Sequence, residues 1–244
     1  MITQKVDLDD DILGFTHTWV NKLVEQVEKQ TIVQGERAME VTNVVQKQKE
    51  ATELRLAVEV AQLWPPQGQW TEPDYFALPD TNRLIELSEG ELVMPPHPTH
   101  THQAVLARLF VELRTFVQAH DLGTVQLAPL PVRLWPGKIR EPDILFVAKE
   151  HADRIGEKVY GPPDLAIEVT SPGTRRIDRV EKFVEYAQAG VREYWIVDPD
   201  SRTVEVFVLR EGAYELLGKW GMGERARSKV LEGFEVAVEE AFAG

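Results

Sequence analysis

The chain has 244 residues, 43% hydrophobic and 27% charged, enough apolar material for one domain of ordinary size plus an extension. It has no cysteine, which excludes disulfides, thiolate metal centres and cysteine nucleophiles and suits a reducing cytoplasm. A formal net charge of -13 excludes a generic, uniformly basic nucleic-acid binder; action on nucleic acid would need local basic charge and a metal ion.

No apolar run approaches the roughly 18 residues of a membrane span, so no membrane partner is expected. No basic stretch followed by an apolar one opens the chain as a signal peptide would. Residues 1–35 begin acidic and then spell an amphipathic helix over about Thr16–Lys29. Residues 36–63 are rich in Glu, Gln, Lys, Ala and Val and lack glycine and proline, which favours a helix. Leu54, Val58 and Ala61 share one of its faces, without sustained heptads. The run W-P-P-Q-G-Q-W, Trp64 to Trp70, breaks that helix. It marks the expected boundary between an N-terminal helical extension, residues 1–69, and a main domain, residues 70–244. Met39 is a candidate alternative start.

In the main domain, Thr71 caps a short helix with Pro73 in its first turn. R-L-I-E-L-S-E-G-E-L-V-M then reads as a hairpin, Arg83–Leu87 and Glu91–Met94 around a Ser88-Glu89-Gly90 turn, ended by Pro95, Pro96 and Pro98. Thr99 or Thr101 caps a helix to about Ala119, and Val105, Leu106, Leu109, Phe110, Leu113, Phe116 and Val117 should face the sheet. Strands follow near Thr124–Leu127 and Val132–Leu134, then a Pro-Gly turn and a strand from Asp143 to Val147. A short helix around Lys149–Ile155 leads to the strand Asp164–Val169, and a helix near Ile177–Ala189 stops at Gly190. Two strands flank the Pro199–Arg202 turn, a further strand lies near Tyr214–Gly218, and Val236–Ala243 closes as a short helix. The order is mixed α/β, a sheet flanked by helices.

Asp143 and Glu168 stand on strands that are otherwise apolar, D-I-L-F-V and D-L-A-I-E-V. A carboxylate on a buried strand needs a cation, a hydrogen-bond donor or a metal. Glu168 also lies near the C-terminal end of its strand, where open α/β sheets build sites. The competing reading is a carboxylate bonded to a turn amide or paired with an arginine. On the following helix Val180, Phe183, Val184 and Ala187 form the apolar face. Lys182 falls opposite, beside Asp178, Arg179, Tyr186 and Ala189, on a flank that is either solvated or lines a cleft. Glu86 reads first as a half-exposed strand charge. Arg175, Arg176, Arg179 and Lys182 form the visible basic cluster, read either as a solvated helix start or as a phosphate-binding patch. His102 reads as a cap, a surface residue or a phosphate contact. With His97 and His100 it lacks the partners of a zinc site. No G-x-S-x-G and no phosphate loop is present.

Over about residues 70–243 the chain resembles the Uma-two family, within the PD-(D/E)XK nuclease superfamily. The resemblance is carried by R-L-I-E-L-S-E-G-E-L-V-M-P-P, T-H-Q, L-P-V-R-L-W-P-G, E-P-D-I-L-F-V, P-P-D-L-A-I-E-V-T-S-P-G-T and D-R-V-E-K-F-V-E-Y-A-Q-A-G-V-R-E-Y-W-I-V-D-P, followed by the R-T-V-E-V-F hairpin. It implies a restriction-endonuclease-like α/β fold with a mixed central sheet. It also implies a metal-dependent endonuclease that hydrolyses phosphodiester bonds, with DNA as its partner. Asp143 and Glu168 would be the catalytic carboxylates and the ligands of Mg²⁺, with Mn²⁺ as a substitute. The superfamily's lysine would stand two residues after the glutamate, where this chain has Thr170. The resemblance maps that role onto Lys182 and makes Glu86 an extra N-terminal acid. His102, Arg175, Arg176 and Arg179 are the expected nucleic-acid contacts, and a homodimer would suit the cutting of two strands. The alternatives are a catalytically silent nucleic-acid-binding or protein-interaction module on the same fold, and an assembly role for the N-terminal helices. Residues 1–35 weakly resemble the opening strand–helix unit of a two-Rossmann-domain glycosyltransferase, but no sugar-nucleotide site follows.

Overall fold

The computed structural model describes residues 45–52, 64–79 and 84–243. The chain divides into two compact units, 1–65 and 66–244. In the first, residues 45–52 are helical, the described part of the helix expected over 36–63. The helix expected at Thr16–Lys29 and the face of Leu54, Val58 and Ala61 lie outside the described residues.

The second unit opens with α1 (Glu72–Phe76). Thr71 and Asp74 form a reciprocal capping box, each side chain bonding the other's backbone N–H. The hairpin β1 (Glu86–Ser88) and β2 (Glu91–Val93) turns tightly, with Glu89 and Gly90 at φ of 54° and 78°. Positive φ at both turn residues matches the right-handed twist of the two strands. Thr99 rather than Thr101 caps α2 (His100–Ala119), accepting from the His102 N–H. Val105, Leu106, Leu109, Leu113 and Val117 are the buried face of α2. Each such side chain contributes roughly 1.5–3 kcal/mol when removed from water.

The remaining strands are β3 (Gly123–Leu127), β4 (Val132–Trp135), β5 (Lys138–Arg140), β6 (Ile144–Ala148), β7 (Leu165–Val169), β8 (Glu193–Asp198), β9 (Thr203–Arg210), β10 (Ala213–Trp220), β11 (Arg225–Arg227) and β12 (Glu235–Ala237). A 3₁₀ turn at Lys149–Arg154 precedes β7. A wide helical turn at Ile177–Glu181 runs into α3 (Lys182–Gln188), and α4 (Val238–Ala241) ends the fold. The main sheet has the order β10-β9-β8-β7-β6-β3, with β7 and β8 parallel and every other neighbour antiparallel. Side-chain alternation divides its core in two. Ile144, Phe146, Ile167, Val169 and Trp195 meet α2 on one face, while Leu145, Val147, Ala166, Tyr194 and Ile196 pack with Tyr186 and Phe183 of α3 on the other.

Three strands were not expected from the sequence, β5, β11 and β12. K-I-R forms a strand of its own, β5, in a second sheet of order β2-β1-β5-β4. Pro142, which has no N–H to donate, separates it from β6. Near the C-terminus, β12 pairs with β11 before α4 begins, so Val236 and Ala237, the first two residues of the expected closing helix, are strand.

Candidate active site

β6 and β7 pair with Ile144 opposite Ile167, Leu145 opposite Ala166 and Phe146 opposite Leu165. Continued by one residue, this register sets Asp143 against Glu168, on the face that also carries Leu145 and Ala166. Asp143 Oδ2 accepts the Val169 N–H at 2.7 Å and bonds His102 Nε2 at 3.1 Å. Glu168 Oε1 accepts Lys182 Nζ at 2.9 Å and the Tyr186 hydroxyl at 2.7 Å. Asp143 Oδ1 and Glu168 Oε2 accept no hydrogen bond from the described residues. Both carboxylates line a cleft of about 300 Å³, together with Glu86, Glu141, Asp178, His102 and Lys182. Above this acidic floor stands an apolar lip of Met94, Pro95, Pro96, Pro98, Leu127 and Pro129.

Asp164, at the far end of the same strand face, shows what a purely structural carboxylate looks like here. Its side chain is fully buried and accepts the Ala148 N–H at 2.8 Å, His151 Nδ1 at 2.8 Å and Arg192 at 3.3 Å. Burial alone would raise its pKa, but the Ala148 amide and His151 outweigh that and hold it below the usual value.

Lys182 corrects the helical reading. Val180 and Val184, expected on the packed face, are 53% and 60% exposed, whereas Lys182 is 5% exposed. The buried ridge is Asp178, Lys182 and Tyr186, with Ala187 beside it. Hydropathy failed because the buried charges satisfy one another. Lys182 Nζ lies 2.9 Å from Glu168, 3.3 Å from Glu86 and 3.8 Å from Asp178. The turn at Ile177–Glu181 closes with the Lys182 N–H on the Ile177 carbonyl, one residue wider than an α-turn, and the Asp178 carbonyl instead accepts the Tyr194 hydroxyl at 2.9 Å.

Glu86 is not half-exposed but 1% exposed. Its Oε2 accepts Arg140 at 2.8 Å and its Oε1 accepts the Glu141 N–H at 3.1 Å. Arg140, equally buried, also grips both oxygens of Glu185 on α3, at 2.7 and 2.8 Å. Lys138 adds a 2.9 Å bond to Glu185. Burial pushes Glu86 and Glu185 upward, yet the cations win and both are lowered: Lys182 and Arg140 at Glu86, Arg140 and Lys138 at Glu185. The small sheet is thereby tied to the helix that carries Lys182.

The basic cluster is divided. Lys182 turns into the cleft. Arg175 pairs with Asp200 at 2.6 Å and Asp198 at 3.4 Å, Arg179 with Glu205 at 2.7 Å, and Arg176 with Glu181 at 2.8 Å. Arg175 and Arg179 line a separate open depression with Asp198, Glu205 and Lys219. His102 stays at the cleft through its bond to Asp143, and Asp143 also raises its pKa against the opposing effect of burial.

Sequence reasoning missed Glu141, Arg140 and Asp178 as parts of this constellation and took Tyr186 only as a neighbour of Lys182. The four-residue spacing of Asp178, Lys182 and Tyr186 was an available signal. The pKa of Glu141 is raised to about 7, chiefly by burial, and its Oε2 has no hydrogen-bond partner among the described residues.

Thr170, the position two after Glu168, is 2% exposed, and its hydroxyl has no hydrogen-bond partner among the described residues. A buried hydroxyl without a partner is destabilising, and valine has nearly its shape. Thr170→Val is therefore expected to stabilise the fold by about 1 kcal/mol. Chemical denaturation of the two proteins checks this; a loss of stability would mean that the hydroxyl is engaged.

Among the described residues no group of three or more His, Asp or Glu side chains is arranged to hold a metal ion, and no helix is long and apolar enough to cross a membrane. A family model described as "Uma2: Putative restriction endonuclease" matches residues 72–239. Among solved structures, one described as "a putative nuclease belonging to DUF820 from Anabaena variabilis ATCC 29413" aligns with a TM-score of 0.58 at 19% identity, covering 70% of this chain and 97% of that one. At that identity the likeness shows the fold. No curated protein matches the chain.

Proposed function

We propose, from the premise that the chain belongs to the Uma2 family of "putative restriction endonucleases", that it is a metal-dependent endonuclease hydrolysing phosphodiester bonds in DNA. One observation carries the reading. The register of β6 and β7, continued by one residue, sets Asp143 against Glu168, each with one oxygen held by the protein and the other without a partner among the described residues, in the lining of one cleft. That donor set fits Mg²⁺ or Mn²⁺. Such an ion takes oxygen ligands, needs only one or two carboxylates, and completes its shell with water and substrate phosphate. When bound, the ion supplies charge stabilisation at the phosphate and a nucleophile at neutral pH.

The chain's own groups divide the remaining work. The Val169 amide and His102 fix the plane of the Asp143 carboxylate, and Tyr186 and Lys182 fix that of Glu168. The Lys182 ammonium places positive charge beside the reacting phosphate, where negative charge grows in the transition state. Glu86 helps hold that ammonium within the cleft. The apolar lip restricts water around the phosphate. Arg176, with its side chain 80% exposed, is the arginine of the run most open to a backbone phosphate; Arg175 and Arg179 would meet the strand farther along, at their own depression.

Incubation of plasmid and oligonucleotides with Mg²⁺, Mn²⁺ or chelator tests the reading. Nicking that needs the ion and disappears in Asp143→Asn is expected. Equal residual cleavage in wild type and variants would sink it, and ion-dependent DNA binding without cleavage would make the protein a silent binding module instead.

A further inference from the structure

Lys182 is the ammonium that lines the cleft, and three carboxylates surround it, at 2.9 Å (Glu168), 3.3 Å (Glu86) and 3.8 Å (Asp178). Its side chain is 7% exposed, so water screens these contacts little. An ion bound between Asp143 and Glu168 would place two further positive charges next to that ammonium, and like charges in a poorly solvated site repel strongly. Glu168 cannot serve both at full strength, because its negative charge is shared. The ammonium nevertheless has somewhere to go. Its contacts with Glu86 and Asp178 already exist, and Glu86 is locked in place by Arg140 and the Glu141 amide.

We propose that Lys182 is a built-in counter-ion that competes with the divalent cation for Glu168, so that binding of the ion shifts the ammonium onto Glu86 and Asp178. This rests on the metal-site reading above and adds its regulation. Without the ion, Lys182 keeps a buried acidic floor from repelling itself. With the ion, the same side chain weakens ion binding and stands next to the phosphate. The site thus binds the ion more weakly than the two carboxylates alone would, and the cleft stays folded without it.

The test needs no DNA and no turnover. Mn²⁺ binding to the full chain is measured by titration calorimetry, and the melting temperature is recorded with and without the ion, for wild type, Lys182→Met, Lys182→Arg and Asp143→Asn. Lys182→Met is expected to bind the ion about tenfold more tightly than wild type. It should also melt at a lower temperature without the ion and gain more from its addition. Lys182→Arg keeps the charge and should stay within about threefold of wild type. Should Lys182→Met fold only in the presence of Mn²⁺, Lys182→Gln takes its place in the titration, with the same tighter binding expected and unchanged or weaker binding again overturning the proposal. Unchanged or weaker binding in Lys182→Met, with binding still lost in Asp143→Asn, overturns the counter-ion proposal and leaves the metal site standing. Binding that is absent from wild type and from every variant overturns the metal site, and the proposal with it.

Discussion

Asp143→Asn and Glu168→Gln will each lower Mg²⁺-supported plasmid cleavage by about 10²- to 10³-fold or more, the range seen when one preorganised electrostatic group is removed. Both substitutions keep shape and the bonds that matter for folding. An asparagine oxygen can still accept the Val169 N–H, and a glutamine oxygen can still accept Lys182 and the Tyr186 hydroxyl. What disappears is negative charge at the oxygens that have no partner among the described residues. The melting temperature should therefore hold in both variants. It should even rise in Glu168→Gln, since burial first, and then repulsion from Asp143 and Asp178, penalises the Glu168 charge despite Lys182. Cleavage assays and thermal melts on the same preparations separate the cases. Retained cleavage removes these carboxylates from the chemistry. Lost cleavage together with a collapse of the melting temperature would assign them to the fold instead.

The largest effect on stability is expected at Arg140. Arg140→Met strips the guanidinium from two buried or half-buried carboxylates, Glu86 and Glu185, and breaking a buried pair from one side costs about 3–5 kcal/mol. For a domain of this size that is a fall of roughly 6–20 °C in melting temperature. The loss should depend on pH in a defined direction. Glu86 and Glu185 are held below their ordinary value of 4.5, so the stability they contribute is present above that value and is lost as pH falls through their lower folded values. The gap between Arg140→Met and wild type should accordingly be widest near neutral pH and narrow as pH falls below the ordinary glutamate value and through the lower folded values of wild type. Replacing Glu185 by leucine in the Arg140→Met background should recover part of the loss, because an apolar pair needs no counter-charge. A variant within about 1 kcal/mol of wild type across this range would show that the latch between the small sheet and α3 contributes little.

Much of this molecule could be read from its residues because the strands are short, apolar and punctuated. D-I-L-F-V and D-L-A-I-E-V lie in the sheet as their composition demands, and Asp143 and Glu168 meet because both strands continue in one register. α2 has the apolar stripe and the threonine cap of an ordinary surface helix, and it packs on the sheet through that stripe. Three features escaped for physical reasons. β5 was not read as a strand at all, since K-I-R is short and nothing local says that the chain changes sheets there; Pro142 was the hint. Glu86 was assigned partial exposure because burial of a lone acid is expensive, and Arg140, whose side chain removes that expense, comes 54 residues later in the chain. The helix carrying Lys182 presents its valines outward and its charges inward, the reverse of an amphipathic surface helix, because its inner face covers a polar cleft rather than a core. Hydrophobic periodicity reports which face avoids water on average; it does not register charges that neutralise one another.

The wide turn at Ile177–Glu181 amounts to one residue inserted into an otherwise regular helix. Each residue of an α-helix advances the side-chain direction by about 100°. Deleting a single residue from this turn would therefore rotate all of α3 relative to the turn, carrying Lys182 and Tyr186 away from Glu168 while leaving the sheet untouched. The lysine's distance from the glutamate in sequence thus does not by itself place it in the cleft. Relatives that differ by one residue between the carboxylate strand and the helix would be expected to draw their cation from another position on α3, and alignment by residue type alone would miss it.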